Sequence, residues 1–215
     1  LVRPPHARGG VLFAHGSGSS RFSPRNRFVA GALQQAGFAT LLMDLLTPEE
    51  ERVDQRSRHF RFDIGLLAKR LVVATDWIAA HSHLAGSPIG YFGASTGAAA
   101  EFVAAVERPD LVEAVVSRGG RPDLAGEALD RAHAPALLIV GGADEVVLDL
   151  NRHALARLPG PSNEIRIGPG AGHLFEEPGA LEEVARLASD FFRRHLARGA
   201  DRPIGAGEGR PADGG

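Results

Sequence analysis

The chain has 215 residues, 44% hydrophobic and 23% charged, which suits one sizeable soluble globular domain. A formal net charge of -2 implies no basic face, and no apolar run reaches membrane-spanning length, so neither nucleic acid nor a membrane is an expected partner. With no Cys, disulfides, thiolate nucleophiles and zinc–thiolate sites are excluded.

Leu1-Val2-Arg3-Pro4-Pro5 lacks the character of a signal peptide, and a cytoplasmic location is the expectation. A start at Leu1 rather than Met leaves room for an earlier targeting segment. Residues 11–14 read as a short buried strand, followed by the loop His15-Gly16-Ser17-Gly18-Ser19-Ser20. Residues 26–36 have apolar positions at helical spacing, with Gly37 as the stop. Residues 38–43 form the next strand, which ends at Asp44.

Residues 49–58 are densely charged with both signs. They read as a solvated loop or short helix, or as a small cap beside a site. Residues 60–84 read as one long helix with an apolar stripe through Ile64, Leu67, Leu71, Ala74 and Ile78. Residues 88–92 are again a buried strand. Strands follow at 112–117, 136–140 and 163–167, with helices at 126–132, 148–158 and from Pro178 to about 196. Residues 1–197 are expected to form one domain. From 198 to 215 the chain is rich in Gly, Pro and Ala and reads as a disordered tail.

Strands that alternate with helices, each a continuous apolar run, imply a mostly parallel sheet of six to seven strands covered on both faces. In such a sheet, active groups gather beyond the C-terminal strand ends. Gly93-Ala94-Ser95-Thr96-Gly97 stands at one of them, between a strand and the helix former Ala98-Ala99-Ala100. This is the G-x-S-x-G pattern, in which a sharp turn forces the serine hydroxyl clear of the sheet. A bland alternative makes Ser95 a helix N-cap in a Gly-rich turn.

Ser95 needs a base, and His173, in the loop after a later strand, is the candidate. Asp144, after the strand before that, would orient the imidazole. The order Ser, Asp, His is that of the α/β-hydrolase fold. The N–H groups of Thr96 and Ser17 are the candidate oxyanion donors. Arg21 and Arg118 fall in loops on the same expected edge, where they could clamp a substrate carboxylate; a structural ion pair with Asp44 or another acid is the alternative. His15 reads as structural. His81 and His83 do not share a helix face, and no metal site is expected.

Residues Val11 to Gly18, Gly93 to Gly97, Val140 to Asp144 and Gly172 to Glu176 together resemble the dienelactone hydrolase family of α/β-hydrolases. The resemblance runs from about 11 to 196. It implies a serine hydrolase that cleaves small carboxylic esters or lactones through an acyl-enzyme, without a cofactor. Dienelactone hydrolase proper uses Cys as nucleophile; Ser95 here favours a plain carboxylic-ester hydrolase. No long insertion is available for a large cap, which implies an open cleft with residues 49–60 as its cover. Acyl transfer or thioester cleavage on the same triad is one alternative, and a non-catalytic binding scaffold is another. A third is nucleotide binding, because Gly16-Ser17-Gly18 follows a strand, but Arg21 stands where the third glycine of a dinucleotide fingerprint belongs. The sequence leaves the oligomeric state open.

Overall fold

The computed structural model describes residues 1–80 and 84–196. The tail expected at 198–215, and His81 and His83, lie outside the described residues. Six strands form one parallel sheet: β1 (Gly10–Ala14), β2 (Ala39–Leu42), β3 (Ile89–Ala94), β4 (Val112–Arg118), β5 (Ala136–Gly141) and β6 (Glu164–Gly168). Their order is β2-β1-β3-β4-β5-β6. The chain leaves β1 for one edge and returns to build toward the other. The crevice at such a reversal opens over the C-terminal ends of β1 and β3.

Among the described residues there are six α-helices: α1 (Pro24–Gln35), α2 (Pro48–Ser57), α3 (Ile64–Ala80), α4 (Thr96–Glu107), α5 (Glu145–Arg157) and α6 (Ala180–His195); all but α2, which packs beside the turn at Phe60–Phe62, cover the sheet. Alternation along the strands divides the core. Val11 and Phe13 of β1 pack with Phe92, Val116, α1 and α6. Leu12 turns the other way, toward Tyr91, α3 and α4. Each such side chain, fully withdrawn from water, contributes about 1.5–3 kcal/mol.

Two elements differ from the sequence reading, and a third takes one of the forms expected of it. Residues 60–84 are not one helix: a 3-10 turn (Phe60–Phe62) precedes α3, and Asp63 between them has ψ of 78°. Asp63 Oδ1 accepts the Leu66 N–H at 3.0 Å, so the acid caps a new helix instead of continuing an old one. The expected short helix at 126–132 is a 3-10 segment (Pro122–Arg131), broken at Gly126. The charged stretch does form a helix, α2. Thr47 and Glu50 make a reciprocal capping box at its start, and Glu49, Glu50 and Glu51 fill its first turn.

Candidate active site

Ser95 sits between the end of β3 and the start of α4 with φ of 50° and ψ of -122°. A non-glycine residue pays backbone strain there, and the surroundings must hold it. They do so closely. The Ser95 carbonyl accepts N–H bonds from Ala98 at 3.1 Å and Arg121 at 3.0 Å. A Cβ at Gly97 would overlap the Ala14 carbonyl, so α4 can approach β1 only with glycine at that position. Ser95 therefore makes no N-cap bond through its side chain. Its hydroxyl forms no hydrogen bond among the described residues.

The loop after β1 lies against this turn. A Cβ at Gly16 would stand 2.9 Å from Ser95 Cβ. Ser17 Oγ and Thr96 Oγ1 are 3.0 Å apart and hydrogen bonded, which ties the two candidate oxyanion loops together. The N–H groups of Ser17 and Thr96 have no acceptor among the described residues. For Thr96 this follows from its place at the start of α4, where no preceding turn supplies a carbonyl. His15 holds the loop in shape. Its Nε2 accepts the Leu45 N–H at 2.9 Å, so Nδ1 carries the proton and donates to the Gly16 carbonyl at 3.0 Å. That is the structural role expected of it.

Asp144 and His173 come from loops after β5 and β6. The Ala143 N–H donates to the Ala171 carbonyl at 3.0 Å, and Gly142 to Gly168 at 2.8 Å, so the loops are stitched side by side. His173 Nδ1 lies 2.7 Å from Asp144 Oδ2. An ionised carboxylate only accepts, so the imidazole proton sits on Nδ1 and Nε2 is left with its lone pair. The imidazole is 40% exposed and the carboxylate 18%. The histidine loop meets the serine side of the site across Gly119, where a Cβ would stand 2.9 Å from the His173 carbonyl. Gly119 directly follows Arg118, the β4 residue in register with Ala94. No direct Ser95–His173 hydrogen bond is formed.

The two arginines are placed otherwise than as a carboxylate clamp. The Arg21 backbone N–H donates to Asp44 Oδ1 at 2.7 Å, and its guanidinium pairs with Asp44 Oδ2. The ion pair weighed as an alternative is therefore what forms. Arg118 is not in a loop: it ends β4 and is 5% exposed. It continues the alternation of Ala114 and Val116, so it points toward α1, where Nη2 reaches Asn26 Oδ1 at 3.4 Å. Burial and the nearby Arg25 charge pull its pKa down to about 10.

Glu51 and Glu101 escaped the sequence reading as site residues. Glu51 lines the small recess beside Ser17 and Thr96. Glu101 of α4 is fully buried behind the turn, against Gly93. Its only sequence signal is an acid inside the apolar run 98–105. Among the described residues, no group of three or more His, Asp or Glu is placed to hold a metal ion.

The sequence profile of the dienelactone hydrolase family matches residues 6–197. The chain belongs to the dienelactone hydrolase family. A crystal structure of dienelactone hydrolase from Anabaena variabilis ATCC 29413 is 62% identical, with a TM-score of 0.87 over 90% of this chain and 89% of that one. Est1E from Butyrivibrio proteoclasticus shares the fold at 16% identity, with a TM-score of 0.72 over 88% and 89% of the two chains. The fold of this family member is thus that of the α/β-hydrolases. A Mycobacterium tuberculosis (strain ATCC 25618 / H37Rv) protein, provisionally named a phosphoribosyl transferase, is 60% identical over 196 residues. That match covers 91% of this chain and 43% of the relative, so the chain spans less than half of that protein's length.

Proposed function

We propose that this chain hydrolyses small carboxylic esters or lactones through an acyl-enzyme on Ser95. Membership of a hydrolase family supports ester cleavage as the reaction class. The observation that carries the residue assignment is the 2.7 Å His173–Asp144 hydrogen bond, supported by the positive φ at which Ser95 is held. In this reading His173 Nε2 takes the Ser95 proton as Oγ attacks the acyl carbon. The C–O bond to the alcohol breaks as His173 returns the proton to the leaving oxygen. Asp144 holds the imidazole in its tautomer and stabilises the imidazolium. The N–H groups of Ser17 and Thr96 receive the negative oxygen of the tetrahedral intermediate, and each such donor is worth roughly 3–4 kcal/mol in the transition state.

Water is the acceptor we assign to the acyl-enzyme, because the half-exposed imidazole is open to solvent. The same His173 then deprotonates that water, and the acid is released. The proposal covers the hydrolytic step alone and takes nothing from the transferase name of the longer mycobacterial relative. Because Ser95 Oγ and His173 are not bonded in the free chain, their contact forms when substrate settles. The test is turnover of p-nitrophenyl esters by the wild type and by Ser95→Ala. We expect burst-phase release of p-nitrophenol from the wild type alone. Comparable turnover by the variant would overturn the assignment.

A further inference from the structure

We propose that the cleft beside the oxyanion loop is a subsite for a substrate limb bearing an alkylammonium group, with Glu51 as its counter-charge. This rests on the hydrolase reading above. The cleft has a volume of about 700 Å³ and lies between residues 18–21, the end of β2 and the start of α2. The small recess that holds Ser17 and Thr96 shares four of its walls: His15, Gly18, Leu46 and Glu51. The recess itself is only about 10 Å³, room for a single oxygen, so a carbonyl oxygen seated at the Ser17 and Thr96 N–H groups would leave one limb of the substrate to pass outside it, over the shared wall, toward the cleft.

The charges along this path cancel in pairs, with one exception. Arg21 is taken by Asp44 and Arg70 by Glu50. Arg61, at the recess, is taken by the buried Asp54. His15 accepts a backbone N–H at Nε2 and so presents a neutral ring. Glu51 remains. It is half-buried, and its carboxylate makes no ion pair or hydrogen bond among the described residues. Its position in the first turn of α2 suits the helix dipole, but that alone would not require it to face the recess. Leu42, Met43 and Leu46 give the same cleft an apolar wall. An unpaired carboxylate with hydrocarbon beside it is complementary to a cation on a short alkyl stem, and it repels a second carboxylate. A quaternary ammonium has no N–H to donate, so the attraction is Coulombic and is strengthened by the partly desolvated wall.

Two matched substrate pairs decide the question, one for each limb. The first is choline acetate against 3,3-dimethylbutyl acetate. The second is the p-nitrophenyl ester of 4-(trimethylammonio)butanoic acid against that of 5,5-dimethylhexanoic acid. Within each pair the shape is the same and only the charge differs. For the pair whose charged limb enters the cleft, the wild type should prefer the cation by about fivefold in kcat/KM, expressed in KM. The preference should shrink with added salt. Glu51→Gln should bring that ratio near one, and Glu51→Lys should invert it. Titration calorimetry with choline reads the subsite without turnover: choline should bind the wild type more tightly than Glu51→Gln. A ratio that Glu51→Gln leaves unchanged, or a wild type with no preference in either pair and no choline binding, overturns the subsite. Failure to cleave all four esters, with choline still bound through Glu51, overturns the hydrolase reading instead.

Discussion

Glu101 is the group most at odds with its surroundings. It has no exposed surface, and neither of its carboxylate oxygens has a hydrogen-bond partner among the described residues. It fits only because Gly93 has no Cβ. Burial holds its pKa well above the ordinary 4.5. Glu101→Met keeps the length and volume of the side chain and removes the polar atoms. At about pH 3, where the carboxyl is almost wholly neutral whether folded or not, the gain is that of deleting an unsatisfied buried polar group, about 1–3 kcal/mol. As pH rises past 4.5, the unfolded wild type releases the proton and the folded one keeps it. The folded state then holds more protons than the unfolded state, so wild-type stability falls by up to about 1.4 kcal/mol per pH unit until the folded pKa is passed. The variant lacks this loss, and its advantage widens toward alkaline pH. Urea unfolding of both chains at about pH 5, 6.5 and 8 measures it. A stability difference that is flat across these pH values would refute the reasoning, as would a variant less stable than the wild type at about pH 5.

Gly97→Ala drives a methyl into the Ala14 carbonyl; it should cost roughly 3 kcal/mol, at the upper end for overpacking, and displace the Ser95 turn, read by urea unfolding and by esterase assay. Asp144→Asn keeps the shape of the loop, but its amide N–H can donate to Nδ1 and so leave the proton on Nε2, the wrong tautomer for a base; kcat/KM should fall on the order of 10⁴-fold with the unfolding midpoint nearly unchanged, and a loss under tenfold would contradict the role given to Asp144. Arg61→Ala strands Asp54, whose carboxyl burial alone would raise but which bonds from Arg61 keep below its ordinary range. It should destabilise by about 3 kcal/mol in thermal or urea unfolding, and less at acid pH, where Asp54 takes up a proton.

The family and the fold class were legible because their signals are local. A Gly-rich turn between an apolar run and an alanine run can be recognised without knowing what lies beside it, and so can strand-loop-helix alternation. The break at Asp63 was hidden because Ile64, Leu67 and Leu71 keep a helical period on its far side. A period does not report that an acid one residue earlier has turned to cap the helix. Arg118 was misread for a related reason. Taken as a loop residue it seemed available to substrate; continued as one more residue of β4, the alternation turns it inward beneath α1.

The succession of strands and helices along the chain, the loops between them and the sharp turn at Ser95 follow from the sequence, since each depends on residues within a few positions of one another, whereas the strand order needs β1 to find β3 across 79 positions. Which charges remain unpaired does not follow from the sequence either. Arg21 meets Asp44 across 23 positions, Arg70 meets Glu50 across 20, and His173 meets Asp144 across 29. Only the folded chain brings these partners within reach, and so only the tertiary structure decides that Arg21 is spent, Glu51 is free and Glu101 is sealed from water. Ionic and hydrogen-bonding partners are chosen by distance in space, and distance along the chain does not set it.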